Sequence, residues 1–180
     1  MAKYTVLGLS GSLRKDSANS KLLREAARLF EDCDFDLADL RFPLYDGDLE
    51  SDQGVPAAVQ KLSDDIADAD AVLIATPEYN KGPSGVLKNA LDWISRTKAK
   101  PWNGKPVAVM SAAAGRAGGE RAQMVLRGFM VPFRPRILQG PEIHLANCGA
   151  QFDEDGKLTG EMYIRELTAL MQVLRAEVDR

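Results

Sequence analysis

The 180 residues of the chain carry a formal net charge of −3, and 45% of them are hydrophobic and 27% charged. These are the proportions of an ordinary globular protein, and the length fits one domain, which we expect to span residues 1–180. The mild acidity argues against nucleic acid or an anionic membrane surface as the main partner. No apolar run approaches the roughly 20 residues that cross a bilayer, and no secretory signal precedes the first predicted strand. We therefore expect a cytoplasmic protein without a membrane partner.

Strand-like and helix-like hydrophobic patterns alternate along the chain. In the first half they predict, in order, a strand over residues 3–10, a helix over 22–30, a strand over 35–40, a loop over 41–54 and a helix over 56–69. In the second half they predict a strand over 71–75, a helix over 83–95, a strand over 106–110, a helix over 122–129, a strand region over 136–144 interrupted by Pro141, a polar turn over 151–159 and a helix over 164–178.

Five strands that alternate with five helices predict the α/β class, with a doubly wound, five-stranded parallel sheet and helices on both of its faces. The run at 71–75 is apolar at every position, as in a strand that is buried on both faces. Ligands of such sheets bind beyond the carboxyl ends of the strands, where the strand order reverses. The loops after the first, third and fourth predicted strands have the most unusual compositions, and we expect them to converge at that edge.

The first of these loops is rich in hydroxyl groups and leads into a helix. A helix N-terminus offers unpaired backbone N–H groups to a phosphate, and the side chains of this loop add further donors. The candidate phosphate ligands are Ser10, Ser12, Arg14, Ser17, Asn19 and Ser20. The two common glycine-rich phosphate-binding motifs, G-x-x-x-x-G-K-[ST] and G-x-G-x-x-G, are both absent from this loop. The alternative is an ordinary polar loop whose serine caps the next helix.

The second loop contains two prolines and two glycines, and the third is built mainly of alanine and glycine. In the second loop, prolines and glycines fix a tight path, and Tyr79 and Asn80 present a ring and an amide to a flat heteroaromatic ligand. The alternative is a structural turn before a helix that buries Trp93. The third loop, residues 111–119, consists almost entirely of alanine and glycine, which permits close backbone approach to a bound ring or simply flexibility.

Taken together, the three loops resemble those of the NADPH-dependent FMN reductase family. The resemblance rests on G-S-L-R-x-x-S-x-N at 11–19, P-E-Y-N at 77–80, L-K-N-A-x-D-W at 87–93 and a small-residue loop that ends in G-G at 118–119. It extends from residue 6 to about residue 129, and the closing strand and helix also fit the flavodoxin-like layout of that family. The resemblance therefore implies a flavodoxin-like fold with tightly but non-covalently bound FMN.

The resemblance also implies roles for individual residues. Ser12, Arg14, Ser17 and Asn19 correspond to the FMN phosphate site. The segment along the isoalloxazine ring corresponds to Pro77, Glu78, Tyr79, Asn80 and Lys81, and the loop at the other edge of the ring corresponds to Ser111, Ala113 and Gly115. The chain departs from the family pattern in two places. It has alanines at 112–114 where relatives often have serines, which implies mainly backbone contacts, and it has Lys81-Gly82 where other residues are common.

The activity that the resemblance implies is a ping-pong oxidoreduction. NADH or NADPH would reduce the flavin, and a quinone, chromate, ferric chelate or flavin would then reoxidise it, with no side chain acting as a catalyst. Arg116 and Arg121 are either ligands of an NADPH 2′-phosphate or simply solvated. A homodimer or a tetramer of dimers is implied, with the helices at 84–95 and 56–69 as candidate contacts. The alternatives are a flavodoxin-type electron carrier and a non-redox, phosphate-binding module.

The few histidines and cysteines limit other chemistry. His144 is the only histidine, so we expect no histidine-based metal site and assign it a structural role near the last strand. Cys33 and Cys148 are far apart in the sequence, and we expect free thiols.

Overall fold

The computed structural model describes residues 3–180, so the first two residues of the predicted 1–180 domain lie outside the described part. The described chain contains six strands: β1 (Tyr4–Ser10), β2 (Cys33–Leu37), β3 (Ala71–Thr76), β4 (Pro106–Ala112), β5 (Arg136–Ile137) and β6 (Ile143–Leu145). It also contains six α-helices: α1 (Ala18–Phe30), α2 (Gly47–Gln53), α3 (Ala57–Asp68), α4 (Gly85–Ile94), α5 (Glu120–Met130) and α6 (Glu161–Val178).

All strand pairs in the sheet are parallel, and the strand order is β2-β1-β3-β4-β5, with β6 also paired to β4. This is the flavodoxin-like order 2-1-3-4-5. After β1 the chain forms β2 on one side and then β3 on the other, so the strand order reverses between β1 and β3. The prediction of an α/β doubly wound sheet is confirmed, and the carboxyl ends of β1, β3 and β4 are adjacent.

The sequence-based prediction is wrong at three elements. The second strand covers Cys33–Leu37, earlier than predicted, and the predicted loop over 41–54 contains α2. Helix α2 has no apolar periodicity, since Leu49 is its only apolar residue and none of its residues is fully buried. It begins at a cap in which the Asp46 carboxylate accepts a hydrogen bond from Asp48 N. The single strand region over 136–144 is two short strands, β5 and β6, which pair with opposite ends of β4.

Helices cover both faces of the sheet, as predicted. Helices α1 and α6 pack on one face, where Leu73 of β3 points, and α3, α4 and α5 pack on the other, where Ile74 points. Every residue of β3 and β4 is buried, since both strands lie between two helical layers. Trp93 is also fully buried, and its indole N–H donates to the carbonyl of Pro43 at 2.8 Å. None of the helices in residues 3–180 has the length and apolar character to span a bilayer.

Candidate cofactor site

The three unusual loops meet in a cleft of about 370 Å³ at the carboxyl edge of the sheet. Nine of the predicted site residues line this cleft, namely Ser12, Arg14, Ser17, Asn19, Pro77, Glu78, Tyr79, Ala113 and Gly115. The remaining lining residues are Ala18, Ala112, Ala114, Ala117, Gly118, Gly119 and Cys148. We call this space the flavin cleft. Its lining residues extend from Ser12 to Cys148, which are separated by more than half of the length of the chain.

The β1–α1 loop provides polar groups to one end of the flavin cleft. Ser17 is the N-cap of α1, where its hydroxyl accepts a bond from Ser20 N at 3.3 Å. Ser12 and Arg14 are next to it, and among residues 3–180 the Arg14 guanidinium has no ion-pair partner. A free guanidinium, two hydroxyl groups and the start of a helix are the donor set that a phosphate requires.

Two other predicted serines lie outside the flavin cleft. The hydroxyl groups of Ser10 and Ser20 are 2.9 Å apart, and Ser12 N donates to Ser10 Oγ at 3.3 Å. The side chains of Ser10 and Ser20 therefore form hydrogen bonds inside the loop and do not line the flavin cleft. These bonds stabilise the conformation of the loop.

Asn19 connects the first loop to the third. Its side chain is buried, its Nδ2 donates to the carbonyl of Ala112 at 3.0 Å, and its Oδ1 accepts from the N–H of Ala112 at 3.0 Å. The amide thus satisfies both peptide groups of the last residue of β4. Asn19 fixes the start of α1 relative to the third loop.

The second loop makes a tight turn beside the cleft. Tyr79 N donates to Gly82 O at 2.9 Å and Gly82 N donates to Tyr79 O at 3.1 Å, so the turn has two central residues. These are Asn80 and Lys81, whose φ angles of 50° and 67° are the left-handed values of a type I′ turn. Both side chains are exposed and neither lines the cleft, whereas Tyr79 is 54% exposed at its mouth. The turn presents the tyrosine ring to the cleft.

Glu78 connects the second loop to the third. Its Oε2 accepts a bond from Ala122 N at 3.3 Å, in the first turn of α5, whose N-cap Gly119 has no capping side chain. A carboxylate is favourable at this position because the N-terminus of a helix is the positive end of its dipole. Glu78 therefore caps α5 and holds two walls of the cleft together.

The third loop is held from behind by buried polar groups. Ser111 Oγ donates to Gly118 O at 2.6 Å, and Gln123 Nε2 donates to Ser111 Oγ at 2.9 Å and to Ile143 O at 2.7 Å. Ser111 is therefore behind the cleft wall and does not line it. The wall itself is backbone and small side chains, as the sequence predicts for residues 111–119.

Two glycines of this loop have positive φ, 59° at Gly118 and 94° at Gly119. A Cβ at Gly118 would overlap the backbone carbonyl of His144, and one at Gly119 would be 2.7 Å from the Cβ of Ser111. Only glycine fits either position without movement of the backbone. The backbone of His144 therefore passes close to Gly118, while the structural role expected for this residue stays a prediction.

Comparison with known proteins agrees with this geometry. The model of the family described as NADPH-dependent FMN reductase matches residues 4–148. The NAD(P)H-dependent FMN reductase of Pseudomonas aeruginosa is 42% identical over 177 residues, which are 97% of this chain and 95% of that protein. The chain belongs to the NADPH-dependent FMN reductase family. Its members are oxidoreductases that use FMN with NAD(P)H as co-substrate.

Two further relatives, one of them a solved structure, match nearly the whole chain. A 2-hydroxy-1,4-benzoquinone reductase from a Burkholderia species is 38% identical over 171 residues, covering 93% of this chain and 92% of that protein. The solved structure of FerB, a flavoenzyme NAD(P)H:(acceptor) oxidoreductase from Paracoccus denitrificans, superposes with a TM-score of 0.87 at 34% identity and covers 98% of this chain and 97% of that one.

The residues in the flavin cleft fit FMN. Ser12, Arg14 and Ser17 offer hydroxyl and guanidinium donors to a phosphate, and the glycine and alanine wall leaves room for a planar ring next to Tyr79. The cleft volume of about 370 Å³ lies within the range usual for small-molecule sites.

Cys148 is a lining residue that the sequence analysis did not assign to the site. Its N–H donates to Ala113 O at 3.2 Å, so the turn after β6 is joined to the third loop. Burial raises the pKa of the Cys148 thiol, and nearby Arg14 opposes this only in part. The only sequence feature that could have placed Cys148 in the site is its position just after the last strand, at the same edge of the sheet.

Alkylation tests whether FMN covers Cys148. Burial raises the pKa of both Cys33 and Cys148, so iodoacetamide should react slowly with either thiol at neutral pH and faster as the pH rises above the ordinary thiol range. Saturating FMN should slow the reaction of Cys148 several-fold and leave Cys33, which is outside the cleft, unchanged. Peptide mass spectrometry measures both rates in one sample. Equal protection of the two thiols, or of neither, would contradict the assignment.

Proposed function

We propose that this protein is an FMN-dependent NAD(P)H:acceptor oxidoreductase that reduces small acceptors, quinones first among them. The observation that carries the proposal is the flavin cleft, which combines two serines and Arg14, unpaired within residues 3–180, with a glycine and alanine wall and the exposed Tyr79 ring. The relative named as a 2-hydroxy-1,4-benzoquinone reductase supports a quinone acceptor. Chromate, ferric chelates and free flavins are further acceptors that an exposed flavin would serve.

When bound, FMN would supply the redox chemistry of a ping-pong exchange between NAD(P)H and the acceptor. Ser12, Arg14 and Ser17 would hold its phosphate, with Asn19 positioning them. Pro77 and Tyr79, with the Asn80-Lys81 turn beyond them, would hold the ring from one side of the cleft, and Ala113 and Gly115 from the other. Three lining groups could exchange a proton, namely Glu78, Tyr79 and Cys148. Glu78 caps α5, burial raises the pKa of Cys148, and Tyr79 is 54% exposed at the mouth of the cleft. We assign the lining residues to binding and orientation, with none as a nucleophile or obligatory acid.

An anaerobic reduction experiment tests this function. The protein loaded with FMN is mixed without oxygen with NADH or NADPH, and the visible absorbance of the flavin is followed before and after addition of a benzoquinone. We expect rapid bleaching by at least one nucleotide and recovery on addition of the quinone. A flavodoxin-type carrier would retain FMN but would not be bleached, and a non-redox phosphate-binding module would not retain FMN.

Replacing Arg14 with alanine should weaken FMN binding without changing the chemistry. One charge-assisted hydrogen bond contributes about 1.5–3 kcal/mol, so the dissociation constant for FMN should rise about ten- to a hundredfold. Fluorescence titration of the apoprotein measures this change. Lys15→Ala is the matched control, because Lys15 is the adjacent exposed cation and does not line the flavin cleft. A lower rate of flavin reduction at full occupancy, with FMN affinity unchanged, would contradict the role of Arg14.

We also propose a homodimer, or a tetramer of dimers, formed through α4 and α5. Met124 on α5 is 68% exposed and Val131 just after it is 72% exposed, and an open groove of about 750 Å³ between the ends of α4 and α5 is lined partly by Phe129 and Phe133. Helix α3 is a weaker candidate, since it contributes no residue to this groove. Sedimentation velocity tests the assembly, which a monomer at micromolar concentration would contradict.

We further propose that residues 1–180 form one FMN-binding domain that works in the cytoplasm without nucleic-acid or membrane partners. The support for a single domain is that α6, beyond the 4–148 family match, packs through Leu167 and Leu170 on the same core as α1.

A further inference from the structure

A second cleft, of about 760 Å³, lies on the other side of the β1–α1 loop. We call it the adjacent cleft. It is bounded by the outer face of α1, by residues 37–41 after β2 and by the turn at 154–157. Ser12, Arg14 and Ser17 line both the adjacent cleft and the flavin cleft. One phosphate-binding loop is therefore the shared wall of two clefts.

The walls of the adjacent cleft are held in place by charged groups. Glu25 is buried, bonds twice to Arg28 at 3.0 Å and accepts from Leu158 N at 3.2 Å, so α1 is joined to the end of the 154–157 turn. Across the cleft, the Arg41 guanidinium donates to the carbonyl of Leu13 at 3.3 Å. The space is thus a built cavity with walls fixed by several parts of the chain.

The adjacent cleft also has a surplus of unpaired cations. Three ion pairs within it are satisfied, namely Lys21–Asp16, Arg28–Glu25 and Arg41–Asp39. Four further cations, Arg14, Lys15, Arg24 and Lys157, have no ion-pair partner among residues 3–180, and they face two unpaired acids, Glu154 and Asp155. The cleft therefore carries a local positive surplus in a protein whose net charge is −3. Such a surplus favours an anionic ligand.

We propose that the adjacent cleft binds a nucleoside 5′-phosphate joined to the flavin phosphate, so that the protein takes FAD as well as FMN. This inference rests on the proposed function, which puts the FMN phosphate on the shared wall. In FAD a second phosphate follows the first through an anhydride bond, so that each phosphate carries one negative charge, and the unpaired cations beyond the shared wall meet the charge of the second phosphate. The adenosine then occupies the remaining volume, which lies within the range usual for small-molecule sites.

Titration of the apoprotein with FMN and with FAD tests the inference. Arg24→Glu and Lys157→Glu each reverse one unpaired cation of the adjacent cleft without touching the flavin cleft. Each should weaken FAD binding by about tenfold or more, as loss of a charge-assisted contact does, and should leave FMN affinity unchanged. Lys98→Glu is the matched control, because it makes the same charge change at an exposed residue that lines neither cleft.

A measurement on the unmodified protein avoids any effect of the variants on folding. A crystal structure of the unmodified protein grown with FAD should place the second phosphate and the adenosine in the adjacent cleft. Adenosine density outside this cleft, or equal effects of Arg24→Glu on the affinities for both flavins, would overturn the inference while FMN binding persists. Failure of the unmodified protein to bind FMN would overturn the proposed function, and this inference with it.

Discussion

Replacing Gly118 with alanine is expected to destabilise the protein by about 3 kcal/mol and to abolish tight FMN binding. The new Cβ would overlap the backbone carbonyl of His144 and approach Ala146 N at 3.0 Å, at a φ of 59° that alanine rarely adopts. Because both neighbours are backbone atoms, a side-chain rotation cannot relieve the overlap. The loop between β4 and α5 must move, and with it the wall of the flavin cleft.

Denaturant unfolding and FMN titration measure the two effects of Gly118→Ala. Gly149→Ala is the matched control, since a Cβ at Gly149 meets nothing within 4 Å and the residue lies in the neighbouring turn. The control should retain both the unfolding midpoint and the FMN affinity of the unmodified protein. Equal behaviour of the two variants would show that the loop tolerates a side chain at Gly118, contrary to its geometry here.

Asn19→Ala is expected to lower stability by about 3 kcal/mol and to weaken FMN binding at least tenfold. The substitution leaves both the N–H and the C=O of Ala112 without their partners, and each unpaired buried group costs about 1–3 kcal/mol. It also removes the connection that holds the phosphate-binding loop against the third loop. A tenfold change in affinity corresponds to about 1.4 kcal/mol, which is about half of the expected loss of stability.

Asn89 offers a matched control for Asn19. Its buried amide makes the same two kinds of bond, accepting from Tyr45 N at 2.8 Å and donating to Pro43 O at 3.0 Å, but it lies outside the flavin cleft. Asn89→Ala should lower the unfolding midpoint and leave FMN affinity, measured on the folded protein, unchanged. If Asn89→Ala weakened FMN binding as much as Asn19→Ala, the effect would be one of general stability and not of the loop connection.

Much of the fold and of the site was predictable because both follow from patterns along the chain. The apolar run of β3 and the helical spacing around it predict a parallel sheet, and the topology then places three loops at one edge. What the patterns omit is the direction of individual side chains. Ser111 lies on β4 between Met110 and Ala112, which point to the opposite face of the sheet, so its hydroxyl lies behind the cleft.

Other features depend on contacts between distant parts of the chain, which a single sequence does not reveal. Residue 118 must be glycine because a Cβ there would overlap the backbone of His144, which lies 26 residues further along the chain in β6. Ser10 and Ser20 form a hydrogen bond to each other, so the β1–α1 loop contributes fewer hydroxyl groups to the cleft than its composition suggests. Helix α2 escaped prediction because Leu49 is its only apolar residue and is only partly buried, and Cys148 because no motif surrounds it.

A crystal structure of the protein grown with FMN tests the central claim most directly. We predict the phosphate against Ser12, Arg14 and Ser17, and the ring between Tyr79 and the backbone of 113–115. Density for FMN at any other place, or an empty cleft at a saturating concentration of FMN, would contradict the account.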